Sequence, residues 1–315
     1  MRIYLNRAST GAWQYITTGM MNALIDRGHT VARWDGTLDA WNAFDPDLYI
    51  GSNGHQQNFP SNRRAKLALQ VSPYGNTYIP KVSDSLSAIQ WTVEQNPDIV
   101  FGFGQEHEFE YWENYTKIHK LKWVSMPTAG DKTFYRQIVP LEERTTDVVY
   151  LGGRWPYKAL TIDEYLIPIL QDKTIKCSLK GWGQWPEDIS YGPIEDEDVN
   201  AFFNTGKIGP CISEQHTLFY GIDIPERAWK VALSGLLVVH DPATQLKKMM
   251  PSALVAANPK EYREFIRYYL KNDDERIALV KNQQKEVLAN HTYHHRLAKL
   301  FLALGLNEEA SNMLG

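Results

Sequence analysis

The order of short apolar runs, and the loops that close them, constrains this chain most. Residues 2–5 read as a strand, and residues 6–12 as a loop carrying Ser9, Thr10 and Gly11. Trp13, Ile16, Met20, Ala23 and Leu24 then recur at helical spacing. Gly28 suits the left-handed position that ends a helix, and residues 30–34 form the next strand. Strand, loop, helix, strand is one βαβ unit, which calls for a parallel sheet.

The rhythm continues. Strands are expected at 47–50, 67–71, 98–101 and 122–125, and helices at 85–95 and 108–117. Each of these strands runs into a loop rich in Gly, Ser, Asn or Pro. In open α/β sheets ligands bind at the carboxyl ends of the strands, so these loops are the expected ligand-facing ones. Residues 126–146 break the pattern with Pro127, Gly130, Pro140 and the charged run Glu142-Glu143-Arg144. We place a domain boundary there, near residue 140. Beyond it come strands at 147–151, 175–179, 207–213 and 236–239. Helical patterns lie at 162–171, 196–204 and 226–234, around Tyr262 to Leu270, and from Tyr293 to Leu304. A chain of 315 residues suits two cores better than one. The expected fold class is α/β, with two Rossmann-like doubly wound domains facing a cleft.

Composition removes several classes. Two cysteines, Cys177 and Cys211, are too few for a disulfide framework or a cysteine zinc site. A net charge of −4 is unlike a nonspecific nucleic-acid binder, although Arg63-Arg64-Ala65-Lys66 forms a local basic run. A solvated helix start is the favoured reading of that run. Nothing reaches the apolar length of a membrane span, and the N-terminus reads as a strand rather than a signal peptide. The expected location is the cytoplasm.

The chemistry clusters in the second half. Gly152, Gly153 and Arg154 follow a strand, where backbone amides can approach a diphosphate and a guanidinium can neutralise it. Lys158 lies just beyond. Arg227 and Lys230 are three apart and share a helical face suited to an anion, unless one of them pairs with Glu226 or Asp223. Gly181 and Trp182 open an aromatic segment, 180–186, on which a nucleobase can stack. Tyr220 sits in the loop 213–223, with Glu214 and His216 beside it.

In the first half, Asp84, His55, Glu106 and His107 are candidates for accepting a proton, and Asp84 and His107 are carried forward as catalytic. Thr10, Gly11, His55, Ser72 and Tyr74 lie in strand-end loops and are assigned to the acceptor side. Arg63 and Arg64 would line one wall of a groove if the acceptor were DNA. No His/Asp/Glu grouping has metal-ligand spacing, apart from His291 and His295, four apart on an expected helix, for which a structural role is favoured. No metal and no cofactor are expected. The pattern lacks a P-loop and a Gly-x-Ser-x-Gly elbow.

Three stretches carry a family resemblance. They are RAWKVALSGLLVVHD at 227–241, Asn290-His291-Thr292-Tyr293 with Arg296, and residues 147–153 preceded by Pro127-Thr128-Ala129-Gly130-Asp131. Residues 125–305 thereby resemble CgeB-like glycosyltransferases of the spore maturation type. DVVYLGGRW and RAWKVALSGLLVVHD are also similar to segments of phage DNA β-glucosyltransferases, which modify hydroxymethylated cytosine. The resemblance implies a GT-B architecture, with residues 1–140 on the acceptor side and 141–290 binding a nucleotide sugar. A final helix, 291–315, would pack back toward the first domain. It implies sugar transfer from a uridine diphosphate sugar without a metal, with Arg227 on the donor phosphates. The acceptor is open between a small molecule, a surface glycan and modified DNA. A catalytically inactive binding module is the further alternative. One departure stands out: such relatives carry a glutamate that holds the donor ribose where this chain has Lys230, which has no acceptor for a hydroxyl.

Overall fold

The computed structural model describes residues 1–6, 12–52, 59–71, 85–104, 120–220 and 224–315. At 12, 85–89, 216, 219 and 220 only the backbone is described. The chain forms two compact units, Met1–Ala129 with Tyr293–Gly315, and Gly130–Thr292.

Unit 1 is built on a six-stranded parallel sheet. Its strands are β1 (Arg2–Leu5), β2 (Thr30–Arg33), β3 (Leu48–Ser52), β4 (Lys66–Gln70), β5 (Ile99–Gly102) and β6 (Trp123–Ser125). Their order is β2-β1-β3-β4-β5-β6. Alternation along each strand sends one set of side chains to each face. Ile3, Leu5, Leu48, Ile50 and Ala68 pack with Ile16, Met20 and Leu24 of the helix Ala12–Asp26. Tyr293, Leu297, Leu300 and Phe301 of the helix Tyr293–Ala303 join them on that face. Tyr4, Tyr49, Leu67 and Leu69 turn to the other face and meet Trp34 and Trp41. The buried Arg296 guanidinium donates from Nε to the Pro127 carbonyl at 2.8 Å, fastening the closing helix to its own unit.

Unit 2 repeats the plan with β7 (Thr146–Leu151), β8 (Cys177–Lys180), β9 (Gly206–Cys211), β10 (Leu237–His240) and β11 (Leu254–Val255). All pairings are parallel, in the order β11-β10-β9-β7-β8. In both sheets the first strand lies between the second and the third, so the chain reverses its direction of winding there. That topological switch point is where a doubly wound sheet opens a crevice at its carboxyl edge. In unit 1 it falls between β1 and β3, and in unit 2 between β7 and β9.

The units part at Gly130 rather than near residue 140. Asn204 gives the physical reason. Its Oδ1 accepts from the Ile138 and Val139 amides at 2.8 and 3.3 Å, and its Nδ2 donates to the Arg136 carbonyl at 3.0 Å. Residues 136–139 are therefore part of unit 2 despite their irregular backbone.

The 18-residue helix Asp273–Asn290 and the short helices Leu38–Phe44 and Thr244–Met249 were not expected from sequence. His291 ends the long helix and stacks on Trp229 with ring centroids 4.9 Å apart, while His295 belongs to the next helix, Tyr293–Ala303. Their helical i, i+4 spacing, the basis for considering them as a metal pair, does not exist.

Candidate functional site: the carboxyl edge of the second sheet

The switch point of unit 2 is occupied by Arg227, the first residue of the helix Arg227–Leu233. Its Nε donates to the Leu151 carbonyl at 2.7 Å, and its Nη1 reaches the Ile212 carbonyl at 3.5 Å. Leu151 ends β7 and Ile212 follows β9, so one guanidinium spans the carboxyl ends of the two strands that define the crevice. The Tyr150 ring lies 4.6 Å beneath it, a cation–π contact. Gly152 makes room: a Cβ there would collide with Arg227 Nη2 and come within 3.1 Å of the Tyr150 hydroxyl. That hydroxyl is buried with no hydrogen-bond partner among the described residues, as is that of Tyr262.

Lys158 enters from the helix Pro156–Thr161, whose N-cap is Trp155. Its side chain is buried. Burial, and then the Arg227 charge, push its pKa down from 10.5 to about 7, against the opposing pull of Glu214 and Asp241. A lysine so placed is readily recharged by an added anion. Asp241 follows β10 and is fully buried. It accepts from the Ser213 amide at 2.6 Å and the Ser213 hydroxyl at 2.8 Å, and its Oδ1 lies 2.7 Å from His240 Nδ1. It thus fixes the loop after β9. Neither Asp241 nor Tyr150 was singled out from sequence. An acidic residue at a strand end, followed by Pro242, is the sequence signal that would have found the first.

The other sequence candidates have distinct placements. Arg154 is engaged within the fold: Nε and Nη2 form a bidentate pair with Asp163 at 2.9 and 2.7 Å, and Nη1 donates to the Gln184 carbonyl at 2.7 Å. Its charge is matched inside the protein, whereas Arg227 lies on the crevice and Lys158 feels its charge. Lys230 pairs with Glu226, Nζ to Oε2 2.6 Å, and both side chains are nearly buried. Gly153 is covered by Trp182, whose Nε1 would stand 2.6 Å from a Cβ there. Trp182 packs edge-on against Trp155 at 5.5 Å, and both indoles remain well exposed.

Gly181 and Gly183 flank Trp182 at φ +142 and +103, where glycine alone is unstrained. They let the loop lie flat against residues 152–154, with Arg154 N donating to Trp182 O at 3.0 Å. Tyr220 ends the helix Gln215–Tyr220, of which the backbone is described.

On unit 1, Arg63 and Arg64 precede β4 and so lie at the amino edge of the sheet, opposite the carboxyl-end loops. Arg63 donates to the Gln95 and Asn96 carbonyls, closing the helix Ser85–Glu94, and Arg64 pairs with Asp45 at 3.6 Å. The carboxyl edge itself carries a buried polar network. Tyr49 donates to Asn6 Oδ1 at 3.0 Å, and the Ser52 hydroxyl donates to Gln70 Oε1 at 2.9 Å. Thr10, Gly11, His55, Ser72, Tyr74, Asp84 and His107 lie outside the described residues. Among the described residues, no group of three His, Cys, Asp or Glu is placed to hold a metal, and no helix is long and apolar enough to cross a membrane.

Comparison with known proteins agrees with the two-sheet α/β fold. Residues 143–301, half of the chain, match the family model described as glycosyl transferase-like. No curated protein sequence matches. Among solved structures, a point variant of T4 phage BGT in complex with UDP-glucose superposes with a TM-score of 0.65 at 13% identity, covering 98% of this chain and 99% of the other. Sucrose-phosphate synthase from Thermosynechococcus elongatus gives 0.63 at 12% identity, with 99% of each chain covered. An E. coli trehalose-6-phosphate protein bound with UDP-2-fluoro glucose gives 0.60 at 9% identity, covering 96% and 99%. T4 BGT is also described in complex with UDP and Mn2+. The fold is that of the GT-B glycosyltransferases.

Proposed function

The chain belongs to the glycosyl transferase-like family and is a glycosyltransferase; from that premise we propose that it moves a sugar from a uridine diphosphate donor, held by unit 2, to an acceptor hydroxyl. One observation carries the donor assignment: Arg227 lies across the ends of β7 and β9, with the buried ammonium of Lys158 within its field. Two cations with Glu214 and Asp241 nearby form a site that an added diphosphate completes. The complexes of T4 BGT with UDP-glucose and of the E. coli protein with a UDP-sugar support the choice of donor.

In the reaction, the acceptor oxygen forms a bond to the anomeric carbon. The bond from that carbon to the diphosphate oxygen breaks, and the diphosphate leaves with the electron pair. Arg227 and Lys158 meet the charge that develops on it, which is the largest single effect such a site can supply. This reading gives the leaving group to side chains of the chain rather than to a metal. The exposed Trp182 offers its outer face to the uracil ring, while Gly152 and Gly153 give their space to the Arg227 guanidinium and the Trp182 indole. The acceptor hydroxyl's proton is assigned to Asp84 or His107.

A second reading, transfer to hydroxymethylated DNA, draws on the likeness to T4 BGT, described as a DNA modifying enzyme. Two observations weigh against it. Arg63 and Arg64 lie at the amino edge of their sheet, and neither unit has more basic than acidic side chains.

The test is product analysis with UDP-glucose and a panel of acceptors that includes carbohydrates and hydroxymethylated DNA. The expected result is UDP together with a hexose-bearing product detected by mass. Conversion of UDP-glucose to an isomeric nucleotide sugar, without UDP, would replace transfer by isomerisation.

Lys158 gives the donor affinity a pH signature. A diphosphate raises the lysine's pKa above its free value of about 7. Below pH 7 the ammonium is charged with or without donor, so affinity is flat. Above pH 7 the free protein must take up a proton to bind, and affinity falls with rising pH until the bound lysine also titrates. Titrations of UDP between pH 6 and 9 are expected to show this decline in the wild type and its loss in Lys158→Met. The donor-free protein runs the other way. Its lysine holds fewer protons than the unfolded chain above pH 7, so this residue's burial costs less stability as pH rises toward 10.5.

A further inference from the structure

We infer that the Arg154–Asp163 pair is a positioning clamp for base selection: Asp163 orients the guanidinium, and the guanidinium fixes the 182–184 backbone that carries the base-stacking indole. The inference rests on the donor reading above.

Four observations carry it. First, Arg154 holds three consecutive residues. Its amide donates to the Trp182 carbonyl at 3.0 Å, its backbone forms a parallel bridge with Gly183, and its Nη1 donates to the Gln184 carbonyl at 2.7 Å. The Trp182 carbonyl also accepts from Trp185 Nε1 at 3.0 Å, which ties the next indole to the same point. Second, Arg154 is itself aimed. Asp163 takes Nε and Nη2 in a bidentate pair at 2.9 and 2.7 Å, a geometry that fixes direction as well as distance. Third, Asp163 is held by its own element. It lies on the π-helical turn Ile162–Leu166, whose Ile162, Tyr165 and Leu166 are buried. Single π-turns inside helices recur at functional sites. Fourth, the pair has little to do with stability. Its side chains are 22% and 43% exposed, and ion pairs that open contribute little. With Nε, Nη1 and Nη2 all engaged, the guanidinium serves the loop rather than the diphosphate. Stacking by itself is open to every base, since each has a π-face. Selection needs the stacking surface at a fixed place, and the clamp supplies that.

The experiment titrates UDP and ADP, by calorimetry, into the wild type, Asp163→Ala, Arg154→Met and the double variant. The two nucleotides share ribose and diphosphate, so the ratio of their affinities reads the base alone. The wild type is expected to prefer UDP by about tenfold, the size of one hydrogen bond. Each single variant should bring that ratio toward unity through weaker binding of UDP. The double variant should go no further than either single one, because both act through one contact. Denaturant midpoints should stay near that of the wild type. Equal loss for UDP and ADP, the mark of a phosphate ligand, overturns the inference while leaving the donor reading intact. So do an unchanged ratio, a wild type that binds UDP without preferring it, additive losses in the double variant, or a variant that fails to fold. Failure of the wild type to bind either nucleotide overturns both.

Discussion

Arg227→Ala is expected to abolish measurable UDP binding at concentrations that saturate the wild type, and to lower kcat/KM with a nucleotide sugar by about 10²–10³-fold, the range for removing one preorganised charge-stabilising donor. The size follows from where the side chain sits. Arg227 touches the ends of both β7 and β9 at the switch point, through Leu151 and Ile212. Alanine removes the charge and at the same time releases Gly152, whose lack of a side chain exists to admit the guanidinium. The fold should survive. The carbonyls Arg227 contacts lie at the sheet's open edge, and Ala228, Trp229, Val231 and Ala232 remain to bury the helix. Calorimetric titration together with circular dichroism separates the two outcomes. A folded variant that still binds UDP as the wild type does would remove Arg227 from the donor site.

Gly181→Ala should have the largest effect on stability, about 3 kcal/mol or more, combining an unfavourable backbone conformation with a backbone clash. At φ +142 a side chain is strained, and its Cβ would stand 2.7 Å from the carbonyl carbon of Gly152 and closer still to its oxygen. The clash cannot be relieved by a rotamer, because the obstacle is main chain. Relief requires the 180–183 segment to move away from residues 152–154. That breaks the Gly152 N to Lys180 O and Arg154 N to Trp182 O bonds, both 3.0 Å. Binding of UDP should weaken with stability, since Gly152 and Trp182 both shift. Denaturant midpoints measure the first effect and titration the second. A variant within 0.5 kcal/mol of the wild type would show that the loop accommodates a side chain.

Most strands were legible in the sequence because each is a short apolar run that ends in a Gly, Ser or Pro loop. The helix Asp273–Asn290 was not, and its inward face explains why. Arg276 and Gln283 are buried there beside Val280 and Val287. Gln283 bonds the amide and carbonyl of Val238, where the two-residue β11 is too short to pair with it. A polar residue doing a strand's work leaves no apolar stripe to read.

The domain boundary was misplaced for a related reason. Pro140 looks like a break, but Asn204, far along the chain, decides to which unit residues 136–139 belong.

At the site, Arg227 was legible because a cation stood at the start of a helix after a strand-end loop. The engagement of Arg154 was not, because its partner Asp163 lies nine residues on, beyond the helix's first turn, where local spacing rules are silent. The Glu226–Lys230 pair follows the favourable Glu-to-Lys i, i+4 order, which sequence does carry. What sequence could not carry is its burial, with the two side chains only 11% and 7% exposed.

The most direct test of the central claim is a calorimetric titration of UDP-glucose into the wild-type protein and into Arg227→Ala. The account predicts saturable binding at one site per chain in the wild type, lost in the variant. Absence of saturable binding in the wild type, or undiminished binding in the variant, would contradict it.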